Sequence, residues 1–312
     1  MRKVVISEFM DEAAIAAELA GFETLYDPTL VDRPDALRAA LAGASGLIVR
    51  NRTQVRAGLL AAAPDLRVVG RLGVGLDNID LAACAARGIA VHPATGANDG
   101  AVAEYVIGTA LLLLRGAYGA SAQVAAGAWP RNALMGREIA GKRLGLVGFG
   151  AIARETARRA AALDMTVAAF DPHLAPDDAA WRPAHGAVAS LTLDALVATS
   201  DVLSLHVPLT EATRDMIGPA AIARMRPGAI LINAARGGVV DEVAIAAALR
   251  SGHLGGAALD VFAQEPVDAA GGAALIDVPN LILTPHIAGV TRESNVRVSA
   301  VTARAVRRSL EG

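Results

Sequence analysis

Short apolar runs alternate with segments of helical composition along most of the chain. The runs are rich in Val, Ile, Leu and Ala, and each is short enough to be a buried strand of a parallel sheet. They predict strands at residues 4–7, 22–26, 47–50, 66–69, 89–91, 144–147, 166–170, 202–205, 229–232, 257–259 and 281–283. The segments between them predict helices at residues 11–20, 34–41, 55–63, 78–87, 99–115, 120–126, 151–163, 193–199, 219–225, 242–250 and 292–310. Such alternation favours an α/β fold with helices on both faces of the sheet.

One break in the alternation divides the chain into two α/β units. It lies at residues 96–100, where Asn98 or Asp99 can cap the long helix that follows. The second unit starts at Lys142, and the amphipathic tail is expected to pack back on the first unit. We therefore predict two Rossmann-like, doubly wound parallel-sheet domains. A flavodoxin-like substrate domain would comprise residues 1–97 and 286–312, and the cofactor domain, residues 98–285, would be inserted into it.

The stretch from Lys142 to Pro172 has the order strand, glycine turn, helix, strand and acid. Gly148 allows a tight turn, Gly150 lets the backbone approach a pyrophosphate, and the following helix start offers N–H groups to that anion. A buried turn without a ligand would explain the glycine pattern alone. Asp171, 23 positions after Gly148, is placed to accept hydrogen bonds from a ribose and completes a dinucleotide motif. A carboxylate repels a 2′-phosphate, so the motif favours NAD over NADP.

Composition and charge exclude several other classes of protein. The chain has 312 residues, of which 54% are hydrophobic and 19% charged, and a formal charge of −2 gives no reason to expect nucleic acid or a membrane as a partner. Its one cysteine, Cys84, rules out an intrachain disulfide and fits a reducing compartment. The N-terminus lacks the pattern of a signal peptide, and the longest apolar run, near residues 110–114, is too short to span a bilayer. We expect a soluble, cytoplasmic protein without a metal.

Three residues with catalytic side chains follow predicted strands of the second unit. They are Arg236 in INAARGGVVDE, Glu265 in ALDVFAQEP and His286 in TPHIAGVT. Ligands of open parallel sheets bind beyond the carboxyl ends of the strands, so the three are expected to converge. The arginine can hold a carboxylate and polarise a carbonyl, the histidine can move a proton, and the glutamate can bind the second imidazole nitrogen and favour its protonated form. Each could be structural by itself, but their joint placement suits hydride transfer at a 2-hydroxy acid.

The motifs RLGVGLDNID, GFGAIA, INAARGGVVDE, ALDVFAQEP and TPHIAGVTRES together resemble those of the D-isomer-specific 2-hydroxyacid dehydrogenases, in order and in spacing. The resemblance extends from about Val4 to Arg307 and is greatest to the short phosphoglycerate-dehydrogenase-like members. It implies NAD as cofactor, a homodimer, and a catalytic set of Arg236, Glu265 and His286. It also implies cofactor contacts at Val74, Gly148, Gly150, Ala151, Ile152, Asp171, Val207, Ala234, Arg236, Asp260, His286 and Gly289.

Within that resemblance, Asp260 and Gly289 would meet the nicotinamide amide. The turn Gly73-Val74-Gly75 would offer N–H groups to the substrate carboxylate. The chain departs from the family pattern at Ala151 and Ala153, where a basic residue and a third glycine are common, and at Ala234, where a hydroxyl is usual. None of these departures removes an essential group.

The segment Arg50-Asn51-Arg52 carries the most information about the substrate. Both arginines end a predicted strand, so with a period of two their side chains are expected on one face. By the resemblance, they match positions near the distal phosphate of phosphoglycerate, and Arg131 matches an arginine that can reach the neighbouring subunit's site. A solvated basic edge is the alternative interpretation. We favour a substrate with an anionic group at C3, bound by Arg50, Asn51, Arg52, Gly73, Val74, Gly75 and Arg131.

The opening VVISEFMDEAA also resembles the start of bacterial sulfolactate dehydrogenases. (S)-3-sulfolactate has the spatial arrangement of a D-2-hydroxy acid, because sulfur reverses the priority ranking. We therefore place (S)-3-sulfolactate first, D-3-phosphoglycerate second, and glyoxylate or hydroxypyruvate third. A protein of another class, an NAD-sensing corepressor or scaffold, stays open as an alternative.

Overall fold

Twelve strands and eleven α-helices make up the regular structure of the computed structural model, which describes residues 1–312. The strands are β1 (Lys3–Ile6), β2 (Glu23–Tyr26), β3 (Ala44–Val49), β4 (Val68–Arg71), β5 (Ala90–Pro93), β6 (Arg143–Val147), β7 (Thr166–Phe170), β8 (Ala189–Ser190), β9 (Val202–Leu205), β10 (Ala229–Asn233), β11 (Leu254–Leu259) and β12 (Leu281–Leu283). The helices are α1 (Glu12–Glu18), α2 (Pro34–Ala40), α3 (Ala57–Ala61), α4 (Leu81–Ala86), α5 (Asp99–Arg115), α6 (Ser121–Ala125), α7 (Ala151–Ala161), α8 (Leu193–Thr199), α9 (Pro219–Arg224), α10 (Glu242–Arg250) and α11 (Arg292–Glu311).

Every predicted strand and helix is present, with bounds within three residues of those expected, and only the short strand β8 was not predicted. Two local predictions are wrong. Strand β3 ends at Val49, so Arg50 and Arg52 lie in the loop beyond it and the argument from strand period does not apply to them. Helix α5 begins at Asp99, and the side-chain oxygen of Asn98 accepts no hydrogen bond, so Asn98 does not cap it.

The chain divides into two compact units, residues 1–98 with 289–312 and residues 99–288. The expected boundary after residue 97 lies one residue before the observed one, and the expected boundary after residue 285 lies three residues before it. Both units contain a wholly parallel sheet, of five strands in the order β2-β1-β3-β4-β5 and of seven in the order β12-β11-β10-β9-β6-β7-β8. The fold class predicted from the alternating pattern is therefore confirmed.

Helix α11 belongs to the first unit because two glycines let it approach the sheet. A Cβ on Gly70, in β4, would lie 2.7 Å from methyl groups of Thr302 and Val306, and a Cβ on Gly46 would lie 3.3 Å from Val306 and Leu310. The apolar side of α11 is buried at Val298, Ala303, Val306 and Leu310. This contact explains why the C-terminal tail returns to the N-terminal sheet.

The core of the second unit lies on both faces of its sheet. One cluster includes Leu203, Leu205 and Leu231, and the other includes Leu144, Leu146 and Phe149. No single helix is both long and apolar enough to cross a bilayer. Helix α5 taken together with residues 118–125, which follow it at a bend of 67°, passes that test of length and composition as a pair.

Candidate active site

The glycine turn lies at the point where the strand order of the second unit reverses. From β6 the chain moves outward through β7 and β8, then returns to β9 on the other side of β6. Ligands of doubly wound sheets bind at such a reversal. Gly148 has a φ of +86°, and a Cβ there would lie 2.6 Å from the carbonyl oxygen of His206 at the end of β9. Only glycine therefore permits this turn.

The turn has the features that a dinucleotide needs. Nothing lies within 4 Å of a Cβ built on Gly150, so the backbone there faces open space. Gly150 is the N-cap of α7, and no side chain caps that helix, which leaves its first N–H groups for an anion. The Asp171 carboxylate accepts N–H groups of Phe149 at 2.8 Å and His173 at 2.9 Å, and each oxygen retains a lone pair for a ribose hydroxyl. These residues fit NAD.

Beneath the turn, Phe149 is fully buried and stacks on Trp181, with ring centroids 5.3 Å apart and planes 3° from parallel. The indole Nε1 of Trp181 donates to the carbonyl oxygen of Ala175 at 2.8 Å. Offset stacking of this kind adds to the free energy gained by burial. The segment after β7 therefore supports the glycine turn from below.

A second turn, after β10, presents Arg236. The buried side chain of Asn233 holds the backbone of this turn. It accepts the N–H of Ala235 at 3.1 Å and donates to the carbonyl oxygen of Arg236 at 2.9 Å. A Cβ on Gly237 would lie 1.7 Å from the carbonyl oxygen of Phe262. The turn with Arg236 is therefore packed directly on the backbone of the loop after β11, which carries Glu265.

The loop after β12 is held by one buried carboxylate. Asp260, 1% exposed, accepts the N–H of Ile287 and of Ala288 at 2.8 Å and the hydroxyl of Thr284 at 2.6 Å. Its carbonyl oxygen accepts the N–H of His286 at 2.8 Å. His286 has a φ of +53°, a left-handed conformation that is costly for a residue with a Cβ. The four hydrogen bonds to Asp260 hold it there.

His286 and Glu265 form a hydrogen-bonded pair. The Nδ1 of His286 lies 2.7 Å from Oε2 of Glu265, and the two side chains are 32% and 29% exposed. Burial raises the pKa of Glu265, but the hydrogen bond and charge of His286, the N–H of Phe262 and the charge of Arg236 together outweigh it. The pKa of Glu265 therefore lies below its ordinary value. An ionised Glu265 fixes Nε2 as the imidazole nitrogen that faces a reactant.

The second histidine at a strand end has different surroundings. Burial lowers the pKa of His206 to about 4, so its ring is neutral at physiological pH. Its Nε2 lies 3.0 Å from the hydroxyl of Ser204, a neutral partner. Of the two rings, only that of His286 pairs with a carboxylate.

In the first unit, the reversal of strand order falls between β1 and β3. The loop after β3 carries Arg50, and the buried side chain of Glu8, after β1, lies beneath it. Its Oε1 accepts the N–H of Arg50 at 2.8 Å and of Thr53 at 2.9 Å, and its Oε2 accepts the N–H of Arg52 at 3.1 Å. Asn78 completes this support by donating to the carbonyl oxygens of Arg50 and Thr53.

Arg50 and Arg52, at the start of this loop, have different partners. The guanidinium of Arg50 donates to Asn295 Oδ1 at 2.6 Å and to the carbonyl oxygen of Phe9 at 3.2 Å, and lies 5.5 Å from the centre of the Phe9 ring. Arg52 forms an ion pair with Asp32. The two side chains are therefore held by separate sets of neighbours, and their expected place on one face stays a prediction.

The remaining predicted residues lie in loops. Gly73, Val74 and Gly75 follow β4, and Gly289 lies two residues before the N-cap of α11. Ala151 and Ile152 open α7, Val207 follows β9, Ala234 follows β10, and Arg131 lies in an exposed irregular segment. Their contacts with ligands stay predictions.

Three supporting residues were not predicted from the sequence: Glu8, Asn78 and Asn233. Glu8 and Asn233 are polar positions at the end of apolar strands, a signal that could have been used for both. The signal was absent for Asn78, which was included in a predicted helix that begins only at Leu81.

A dinucleotide turn with Arg236, Glu265 and His286 at neighbouring strand ends is the arrangement of a dinucleotide-dependent oxidoreductase. Comparison with known proteins gives the family. Residues 107–288 match the family model described as D-isomer specific 2-hydroxyacid dehydrogenase, NAD binding domain. The chain is 56% identical over 310 residues to (S)-sulfolactate dehydrogenase of Chromohalobacter salexigens, covering 99% of each protein.

Two further comparisons agree. The chain is 40% identical over 311 residues to D-3-phosphoglycerate dehydrogenase of Mycobacterium leprae, covering 99% of this chain but 57% of that protein. The structure of D-lactate dehydrogenase from Aquifex aeolicus, complexed with NAD and lactic acid, superposes with a TM-score of 0.85 at 27% identity and covers 100% of this chain and 96% of the other. The chain belongs to the D-isomer specific 2-hydroxyacid dehydrogenase family. It is an NAD-dependent enzyme that acts on a small 2-hydroxy acid, as the motifs predicted.

Proposed function

We propose that the enzyme interconverts (S)-3-sulfolactate and its 2-oxo acid with NAD. The observation that carries this proposal is that Arg50 is half-buried and has only uncharged hydrogen-bond partners. It lies at the strand-order reversal of the first unit, where ligands of such sheets bind. The similarity to a full-length relative named (S)-sulfolactate dehydrogenase supports the same substrate. D-3-phosphoglycerate is the second candidate, because relatives of that name are about 40% identical.

Bound NAD supplies the acceptor for the hydride of the C2–H bond. In the proposed reaction, Nε2 of His286 takes the proton of the C2 hydroxyl, and Glu265 stabilises the resulting imidazolium through the 2.7 Å hydrogen bond to Nδ1. Arg236 binds the carboxylate and the C2 oxygen, where it stabilises negative charge. In the reverse direction His286 returns the proton to the C2 oxygen.

Arg50 is proposed to bind the sulfonate. Burial lowers the pKa of Arg50, which means that the folded chain disfavours its charge, while the nearby charge of Glu8 opposes this effect. Both Glu8 oxygens are already bound to backbone N–H groups, so Glu8 does not pair with the guanidinium. A partly desolvated cation without a direct counter-ion gains free energy when an anionic ligand binds.

The test is NADH formation with (S)-3-sulfolactate, D-3-phosphoglycerate, D-glycerate and D-lactate. We expect the highest kcat/KM with sulfolactate. Replacing Arg50 with Ala should lower that value by roughly 10- to 100-fold, the loss of a hydrogen-bonded charge, and lower D-lactate turnover far less. Arg38→Ala, which removes an exposed arginine paired with Asp35, is the matched control and should leave all four values unchanged. An equal fall of kcat/KM for sulfolactate and for D-lactate in Arg50→Ala would refute the proposal.

We also propose that the enzyme is a homodimer, joined through residues 116–136. This segment leaves and rejoins the fold at one place, because Arg137 N–H donates to the Leu114 carbonyl oxygen at 2.8 Å. It carries four exposed apolar side chains: Tyr118 (65%), Val124 (45%), Trp129 (78%) and Met135 (80%). So many exposed apolar side chains close together in one segment support burial against a second copy.

Light scattering after size exclusion tests the dimer. The double variant Trp129→Asp, Met135→Asp should elute as a monomer, while Val243→Asp, at another exposed apolar position, should stay dimeric. A monomeric wild-type protein at micromolar concentration would refute this proposal. The predicted contribution of Arg131 to the neighbouring subunit's site depends on the same outcome.

A further inference from the structure

Residues 50–53, at the start of the loop after β3, form the proposed anion site of the first unit and carry two arginines, Arg50 and Arg52, but little net positive charge. Arg52 pairs with Asp32 through both terminal nitrogens, the longer contact being 3.4 Å, and this pairing raises the pKa of Arg52. Arg50 has no such ion pair; its partners are Asn295, Phe9 and the ring of Phe9. Of these two arginines, only Arg50 therefore lacks an ion pair.

A second acid, Glu8, lowers the positive electrostatic potential at this segment further. Glu8, 4% exposed, places a carboxylate under the backbone of the same loop. The charged and titratable groups around the Arg50 guanidinium are Glu8 and Tyr26, and those around Arg52 are Asp32 and Glu8. Arg50, Arg52, Glu8 and Asp32 together carry no net charge. Arg50, which lacks an ion pair, can bind one negative charge, but these four residues offer no second unpaired cation to balance another.

We propose that Asp32 is a specificity-determining residue that restricts this site to singly charged anions, and so favours a sulfonate over a phosphate monoester. This inference rests on the proposed function. A sulfonate carries one negative charge at every physiological pH. A phosphate monoester carries about −1.5 to −2 at pH 7, since its second pKa is about 6. By occupying Arg52, Asp32 removes the second cation that a dianion needs.

The position of Asp32 suits this role. It ends a single 3₁₀ turn, Leu30–Asp32, directly before α2, and its side chain is 59% exposed. An exposed ion pair adds little to the stability of the fold, so the residue can be changed without unfolding the domain. Its charge, in contrast, acts on any anion that approaches Arg52.

The first experiment measures kcat/KM for D-3-phosphoglycerate relative to (S)-3-sulfolactate in wild type and in Asp32→Asn. Without its partner acid, Arg52 is available to a dianion, and we expect the ratio to rise about three- to ten-fold. Adding Arg52→Gln to this variant should return the ratio to the wild-type value. The matched control is Asp35→Asn, an equal change of charge three positions away in an acid paired with Arg38, and it should leave the ratio unchanged.

The second experiment needs no variant. The ratio is measured on the wild-type enzyme from pH 7.5 to 5.5, because titrations of the free enzyme affect both substrates equally and cancel. The phosphate becomes a monoanion over this range, so the ratio should rise by up to about 25-fold if only the monoanion binds productively. In Asp32→Asn the rise should be smaller, since the dianion is then accepted.

The outcomes separate this inference from the proposed function. If the wild-type enzyme oxidises neither anionic substrate better than D-lactate, the proposed function is wrong. If it prefers sulfolactate but the ratio is the same in Asp32→Asn and flat across the pH range, the preference has another origin and the role of Asp32 is refuted. A rise of equal size in Asp35→Asn would show a general charge effect and would also refute it.

Discussion

The substitution Gly237→Ala tests whether the site depends on contact between two backbone segments. A Cβ at this position would lie 1.7 Å from the carbonyl oxygen of Phe262, 2.0 Å from its carbonyl carbon and 2.7 Å from the backbone nitrogen of Ala263. Backbone atoms cannot rotate away as a flexible side chain can. To reach even 3.0 Å from the oxygen, the segments must separate by about 1.3 Å.

That displacement would move a residue proposed to be catalytic on each side of the contact. Arg236 precedes Gly237, and Glu265, which pairs with His286, lies in the same loop as Phe262 and accepts its N–H. A misplacement of about 1 Å lowers rates by roughly 100-fold. We therefore expect kcat/KM for the best substrate to fall at least about 100-fold. Overpacking of this kind costs about 1–3 kcal/mol, which lowers Tm by roughly 2–12 °C for a unit of this size.

The assay is steady-state NADH formation at 25 °C, with Tm and the circular dichroism spectrum measured on the same preparations. The control is Gly58→Ala, where an added Cβ meets nothing within 4 Å, and it should leave kcat/KM unchanged. A folded Gly237→Ala protein with kcat/KM within about threefold of wild type would show that the two loops do not need this close approach.

Three further outcomes are expected. His286→Ala should lower kcat by at least about 100-fold while NAD still binds in a fluorescence titration, and loss of binding with turnover retained would contradict its role. Asp171→Asn should shift the ratio of kcat/KM for NAD over NADP towards NADP by about 10-fold or more, and an unchanged ratio would exclude it as the selecting acid. Glu155→Gln should cost about 1 kcal/mol of unfolding free energy at pH 7, because Arg158 and Arg159 lower the pKa of Glu155 to about 2 and the pair is partly exposed. Because folding lowers the pKa of Glu155, the loss of unfolding free energy in Glu155→Gln should be full above pH 4.5 and should disappear as the pH falls towards 2. Urea unfolding at several pH values measures this loss, and a loss that does not change with pH would contradict the role of Glu155.

Much of this protein could be predicted from periodicity and a few motifs. Buried parallel strands are continuous apolar runs, and the helices between them repeat their apolar positions about every 3.6 residues. Both patterns involve residues close together in the sequence, so the strands and helices could be assigned from the sequence. The glycine turn, Asp171, Arg236, Glu265 and His286 were found in the same way, because parallel strands place the residues after them at one edge. The contact between His286 and Glu265 agrees with the expected convergence of these strand ends.

The partners of the polar side chains could not be predicted in this way. Arg50 and Arg52 are two positions apart and equivalent by sequence pattern, yet one contacts Asn295, far along the chain, and the other contacts Asp32. Glu8 supports their loop only because β1 and β3 are adjacent in the sheet. The sequence by itself therefore determined the fold class, the family and the candidate site residues, since these depend on local pattern. Only the tertiary structure decided which charges remain uncompensated, because a charge is balanced by neighbours in space that lie far apart along the chain.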